Sequence, residues 1–434
     1  MAGPGLAELH AHLYGSVPPE AVLRHLAEDY DRVQWDWYED FYEATLGARP
    51  PTRGLVERFR AGDRSVVPAF RGVYVFGDGD TDPGEADFAQ FSARGRLPWA
   101  SDDSAPGRRD EVALRYLAAV RSQLAREGVA YAELRCQPST VLPAAFAEPQ
   151  PGPVLRMVVS LDRDDPWPGW EQVQEIVLGA RGTAVTGIDF CGIEEGHPPR
   201  DMAGFFAAVH EFNDRHPERA VAILHHVGES FTDKSLESAI RWVQEAAELG
   251  AHRLGHAIAL GVDPARFGPH ARTETVRERR DQIVYDLVHL PELRAAGVPV
   301  DPARLEQELY RLRRRPEGDL LDVVYDDARL AEVRRRQDYA IELVRATGAV
   351  VEVCPTSNRR IGGISDPAHH PVHRFLAAGL PVVVGADDPG VFGVTLAGEL
   401  DWVCEVTGGG AGLRDQLLRS AWDAAAAVRA RNRS

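Results

Sequence analysis

The order of short β-rich runs and helical patterns constrains this chain more than any other feature, because strands that alternate with helices pair in parallel. Eight runs read as strands: Leu6 to His12, Val129 to Cys136, Leu155 to Leu161, Ala184 to Phe190, Val221 to His226, His252 to His256, Val350 to Cys354 and Val382 to Gly385. Eight such units predict an α/β fold, a (β/α)8 TIM barrel. The chain has 434 residues, whereas such barrels are typically about 250 residues and exceed 400 only with insertions. One barrel domain over 1–434 is therefore expected, with helical insertions near 50–108 and 261–340. The segment GDGDTDPGEAD at 77–87 reads as a solvated surface loop, with a lid over a substrate as the alternative. The second insertion carries Arg-rich helical stretches, YRLRRR at 310–315 and EVRRRQDY at 332–339. Their mixed charge points to exposed helices in a structural or self-association role, compatible with a homo-oligomer.

Charge limits the partners. A formal net charge of -17 repels phosphate backbones and anionic lipid, so nucleic acid and membrane are not expected. The four cysteines, Cys136, Cys191, Cys354 and Cys404, form no C-x-x-C pair, which argues against a disulfide framework or a zinc knuckle and fits a reduced, cytoplasmic setting. There is neither a signal-peptide pattern nor an apolar run of about 18 residues.

The chemistry-bearing residues gather at one end of the proposed strands. ELHAH places His10 and His12 two apart, so both imidazoles leave the first strand on one face. HHVGES ends the fifth strand with His226 and carries Glu229 onto the following loop; His225 alternates with His226 and should point away, as packing. HRLGHA closes the sixth strand with His256, and VVVGADDPGVFG closes the eighth with Asp387 and Asp388. Adjacent buried carboxylates raise each other's pKa unless a cation compensates. Strand C-termini form the catalytic face of such a barrel, and three histidines with one carboxylate suit Zn2+ while leaving room for water. Two-metal barrel hydrolases often bridge their ions with a modified lysine from the fourth strand. That strand has none: the only lysine, Lys234, lies beyond the fifth strand in a polar, helical-looking stretch. One zinc per chain follows, with water as the nucleophile.

With these residues in place, the chain resembles the adenosine deaminase family. The likeness rests on ELHAHLYGS, YAELRCQPS, GIDFCG, HHVGE, RLGH, EVCPTSN and GADDPGVFG, in that order along almost the whole chain. The resemblance implies that His10, His12, His226 and Asp387 bind zinc and that His256 orients and deprotonates the attacking water. It implies that Glu229 protonates the purine ring nitrogen, that Asp388 contacts water and substrate, and that the Gly192 backbone binds the ring. His12 and Tyr14 would also face the substrate. The implied reaction is attack by zinc-activated water at C6 of an adenine-type base, with loss of ammonia, in purine metabolism.

Departures bear on substrate. Tyr14 stands where the family usually has an acid that holds the ribose 5′-hydroxyl, which argues against plain adenosine and for a modified 5′ end, unless Tyr14 only fills space. Ile193 replaces a common Asp, and Glu194 and Glu195 read as surface acids or as readers of an unusual substrate group. The leading expectation is a deaminase of an adenine nucleoside, nucleotide or modified 6-aminopurine. The alternatives are a single-zinc amidohydrolase acting on another ring amide or an N6-substituted purine, and a non-catalytic nucleoside-binding relative.

Overall fold

The computed structural model describes residues 5–77, 80, 88–101, 107–230, 233–364 and 366–431. Most of the 77–87 loop therefore lies outside the described residues; only its Gly77 and Asp80 fall within them.

All eight expected strands are present, as β1 (Leu6–His12), β2 (Val129–Cys136), β3 (Val154–Ser160), β4 (Val185–Phe190), β5 (Ala222–Val227), β6 (Arg253–His256), β9 (Val350–Val353) and β10 (Val382–Val384). Between β6 and β9 the insertion contributes β7 (His270–Thr275) and β8 (Leu320–Tyr325). The eight-stranded sheet runs β1-β2-β3-β4-β5-β6-β9-β10, each pair parallel. It comes back on itself through a parallel bridge between Ala11 and Asp387. There His12 N–H donates to the Asp387 carbonyl at 2.9 Å and Asp387 N–H to the His10 carbonyl at 2.8 Å. The fold is a (β/α)8 TIM barrel.

Strand alternation explains which side chains face inward. In β1, Ala7 and Leu9 are buried outward with Val383 of β10 and Ala421 of the C-terminal helix Gly410–Arg431, while Glu8, His10 and His12 take the opposite face. A fully buried side chain such as Leu9 contributes about 1.5–3 kcal/mol. The interior below the strand ends is filled by ions as well as aliphatics. Arg135 of β2 pairs with Asp189 of β4 at 2.7 Å and with Glu352 of β9. Arg253 of β6 pairs with Glu133 of β2 and, at 3.1 Å, with Glu352.

The insertion departs from the purely helical expectation. Its β7 and β8 pair antiparallel, His270 opposite Tyr325 through Thr275 opposite Leu320. The sequence HARTET is largely polar and offers no apolar alternation to read, yet pairing with LLDVVY buries Glu274 and Tyr325. Of its two Arg-rich stretches, 332–339 lies within helix Asp327–Thr347, with Arg336 and Gln337 buried and not exposed, and 310–315 runs from the last turn of helix Pro302–Leu312 into the turn after it. The insertion also has a cluster of its own, including Val276, Ile283, Leu293 and Leu305. It is tied to the barrel helix Leu236–Glu248 by the buried Arg241, which donates to Glu278 at 2.6 Å. Among the described residues no helix is long and apolar enough to cross a membrane.

Candidate active site

The parallel register brings the strand ends level. His226 of β5 lies opposite Gly255 and Val227 opposite His256 of β6, and the bridge at Ala11 sets Asp387 between His10 and His12. His10, His12, His226 and Asp387 each offer one ligand atom, all within 4.8 Å of one another. Asp387 Oδ1 is 3.2 Å from His12 Nε2 and 3.6 Å from His10 Nε2.

The imidazoles are held from behind. Glu352 accepts from His10 Nδ1 at 2.7 Å, and Asp189 accepts from His226 Nδ1 at 3.0 Å. With Nδ1 donating, Nε2 keeps a lone pair aimed into the cluster. The Nε2 atoms of His10 and His226 are buried and have no hydrogen-bond partner among the described residues. Such atoms are costly in a folded interior unless something coordinates them. Burial lowers the pKa of His10, with Arg135 adding to the effect, and lowers that of His226 to about 3; both are neutral, the form that binds metal. On His12 burial works against charge, but Asp388, Asp387 and Cys191 outweigh it and hold the imidazole well above its usual value, so a cation would take the place of that proton. A divalent metal fits this donor set.

Two of the residues here sit in backbone conformations that side chains rarely adopt. His256 has φ 63° and Asp387 φ 59°, each costing on the order of 1–3 kcal/mol. His256 Nδ1 donates to Asn358 Oδ1 at 2.8 Å, on the short helix Pro355–Arg360. Its Nε2 lies 3.6 Å from Glu229. Burial raises the Glu229 carboxyl above its ordinary value; His256 opposes this, while Asp387 and Glu194 reinforce it. Burial and then Asp387 push Asp388 up to about 7. Asp388 can lie against β1 because residue 15 is glycine: a Cβ there would come within 1.4 Å of its carboxylate.

A cavity of about 330 Å³ opens above the cluster, lined by His12, Glu229, His256, Asp388, Gly192 and Tyr14 among others. Tyr14 lies flat on Trp99, ring centroids 3.8 Å apart at 15°. Trp99, Phe88 and Phe91 also line the cavity, so the insertion near 50–108 supplies part of its wall. Gly192 has φ 109° and is exposed, which leaves its backbone accessible from the cavity.

Every residue singled out from the sequence for this site thus lines one cavity or the cluster beneath it. His225 points to the other side of β5, buried against Phe190 and Phe206. Two expectations are corrected. Glu194 is not a surface acid: it is 5% exposed because it accepts backbone N–H groups from the loop after β5. Lys234 is not in a helix: it lies in the bend just before helix Leu236–Glu248, fully buried, 2.6 Å from Asp233 and 4.2 Å over the Trp242 ring. Sequence reasoning gave no role to Asp189, Glu352, Asn358 or Arg135. Each lies within the quoted segments GIDFCG, EVCPTSN and YAELRCQPS; for Asp189, Glu352 and Arg135 a charged residue on the inward face of a barrel strand was the signal available, and Asn358, on a helix, carried none.

Comparison with known proteins adds three findings. Residues 330–431 match the family model described as adenosine deaminase. The chain is 51% identical over 59 residues to an aminodeoxyfutalosine deaminase of Acidothermus cellulolyticus, covering 14% of this chain and 17% of that one. It is 36% identical over 111 residues to an adenine deaminase of Rhizobium leguminosarum bv. trifolii, covering 25% and 34%. The matched stretches thus span 17% and 34% of these relatives' lengths. The crystal structure of adenine deaminase from Arthrobacter aurescens superposes with a TM-score of 0.54 at 17% identity, over 99% of this chain and 96% of that one, a likeness of fold.

Proposed function

We propose, from the match of residues 330–431 to the adenosine deaminase family model and the stretches shared with deaminase relatives, that this chain is a zinc-dependent hydrolytic deaminase of a 6-aminopurine nucleoside, nucleotide or modified derivative. The observation that carries the reading is the convergence of His10, His12, His226 and Asp387 within 4.8 Å, with an acid of raised pKa and a second histidine beside them. Three imidazoles and a carboxylate suit zinc, which when bound lowers the pKa of water toward ~7 and supplies a nucleophile at neutral pH.

The remaining steps belong to the protein. Glu229, whose carboxyl burial raises above its ordinary value, donates a proton to a ring nitrogen as C6 becomes tetrahedral, which makes the ring a better electron acceptor. His256 is tethered through Nδ1 to Asn358, so its Nε2 is available to take the proton of the attacking water and hand it to the departing amine. Asp388, raised to about 7, shares a proton with water and substrate at the same face. The exposed Gly192 backbone offers the ring an in-plane hydrogen bond. Tyr14 on Trp99 presents an aromatic surface where a carboxylate would hold a 5′-hydroxyl, which supports a substrate with a modified 5′ end over plain adenosine.

Zinc-loaded protein is expected to shift the ultraviolet spectrum of one member of a 6-aminopurine panel and to release ammonia in equal amount. In E229Q the metal should stay and turnover fall by about 10²–10⁴-fold. Methylamine or a ring-opened product instead of ammonia would move the reaction to another amidohydrolase class, and a fully active E229Q would end the proposed acid role.

A further inference from the structure

Glu194 sits in the loop after β4, between the exposed Ile193, at 66%, and the half-buried Glu195. It turns inward because the loop after β5 gives its carboxylate three consecutive donors. Gly228 N–H donates to Oε1 at 3.0 Å, and Glu229 and Ser230 N–H donate to Oε2 at 3.1 and 3.3 Å. Glu195 accepts from the Ser230 hydroxyl next to them. Successive amides converging on one anion form a nest, and charge-assisted bonds of this kind are about twice as strong as neutral ones.

Behind this contact is Lys234. Its Nζ lies 2.6 Å from Asp233, 3.9 Å from Glu194 and 3.3 Å from the Ser230 carbonyl. Burying an ammonium costs desolvation unless its neighbours compensate, and here they are two carboxylates, a carbonyl and an aromatic face. The loop needs such restraint. It turns at Gly228, φ 68°, where a Cβ would come within 2.4 Å of Val243, so the residue that makes the turn also gives it the greatest backbone freedom.

We propose that Glu194, backed by Lys234, is a positioning residue that fixes the backbone of Glu229 and so keeps that carboxyl group beside His256 and over the metal-ligating cluster. The inference rests on the reading of Glu229 as the proton donor. A displacement of about 1 Å at a reacting group costs on the order of 10²-fold in rate, and among the described residues no other side chain accepts from the amides of 228 and 229.

The test uses the zinc-loaded full chain with the panel substrate it turns over, comparing wild type, E194A and E194Q by kcat, KM, bound metal and amide hydrogen exchange. In E194A kcat should fall about 100-fold while KM stays within about threefold and metal content is unchanged. The amides of 228–230 should exchange faster, with the barrel strands unaffected. E194Q retains one accepting oxygen and should recover about tenfold of the lost kcat. An E194A kcat within about threefold of wild type, or undiminished protection at 228–230, overturns the proposal. If E194A does not fold, E194Q decides alone: a kcat about tenfold down at unchanged KM supports the positioning role, and an unchanged kcat overturns it. Should wild type turn over nothing, the deaminase reading fails, and the exchange of 228–230 in the variants alone decides whether Glu194 orders the loop.

Discussion

The mouth of the barrel and the layer just beneath it are both built from buried and half-buried ionisable side chains, histidines with acids above and arginines with acids below, yet they are arranged in opposite ways. Below, Arg135, Arg253, Glu133, Asp189 and Glu352 close ion pairs with one another. At the mouth, His10 Nε2 and His226 Nε2 have no hydrogen-bond partner among the described residues, and Asp387 and His256 occupy strained backbone. The pKa directions diverge with the geometry. On Glu352 burial is outweighed by Arg135 and Arg253, and the carboxyl is held well below its ordinary range; on Glu229 burial prevails and the carboxyl rises. Backbone strain concentrates where a ligand would complete the structure, beside two imidazole nitrogens that lack a hydrogen-bond partner, and ion-paired side chains lie where the structure must carry that strain.

The largest effect should come from taking the arginine out of the layer. R135M leaves Asp189 and Glu352 as buried anions without their shared partner, which is expected to cost about 3–5 kcal/mol in denaturant unfolding. D387N, at the mouth, should abolish metal binding yet cost the metal-free protein less than about 1 kcal/mol, since asparagine tolerates the left-handed conformation. Equal losses of stability in the two variants would erase the distinction between the layers.

A smaller effect links them. Asp189 faces both ways, accepting from His226 Nδ1 above and from Arg135 below. D189N keeps an acceptor oxygen but loses the charge that favours Nδ1 as donor, so metal affinity should fall about 10–100-fold. That equals about 1.4–2.8 kcal/mol, readable by competition with a chelator. Unchanged affinity would mean that the layer supports the barrel without orienting the ligands.

The same contrast sets what could be read from the sequence. The eight barrel strands were legible because apolar runs of the right length recur, and the mouth because histidines and aspartates end them. The layer was not, because Arg135, Asp189 and Glu352 only acquire meaning when β2, β4 and β9, far apart in sequence, are brought into one interior. Glu194 reads as a surface acid, and the burial of Lys234 goes unread, for a related reason: burial of a charged side chain depends on partners across a turn that composition does not reveal. The β7 and β8 strands were missed because a two-stranded sheet with a polar first strand carries no period-two apolar signal.

The smallest effects are those of pH, and the two layers should respond with opposite sign. Asp189 and Glu352 are held below ordinary carboxyl values, by His226 and Arg135 and by Arg135 and Arg253 respectively, against the pull of burial. A depressed folded-state pKa contributes stability that is present above the unfolded value of ~4 and lost as pH falls below it. Denaturant midpoints should therefore decline on the acid side, and the decline should be shallower in R135M, whose carboxylates have lost their partner. At the mouth the proposed role of Glu229 as proton donor requires it to keep its proton. Burial raises Glu229, and Asp388 is pushed up to about 7, so kcat/KM should fall on the alkaline side as these protons leave. The limb belongs to the coupled group of Glu229, Asp388 and His256, not to one residue. If activity instead rose steadily with pH while stability held to the acid limit, the carboxyls would carry the opposite protonation states, and the division between a satisfied layer and a reactive mouth would fail.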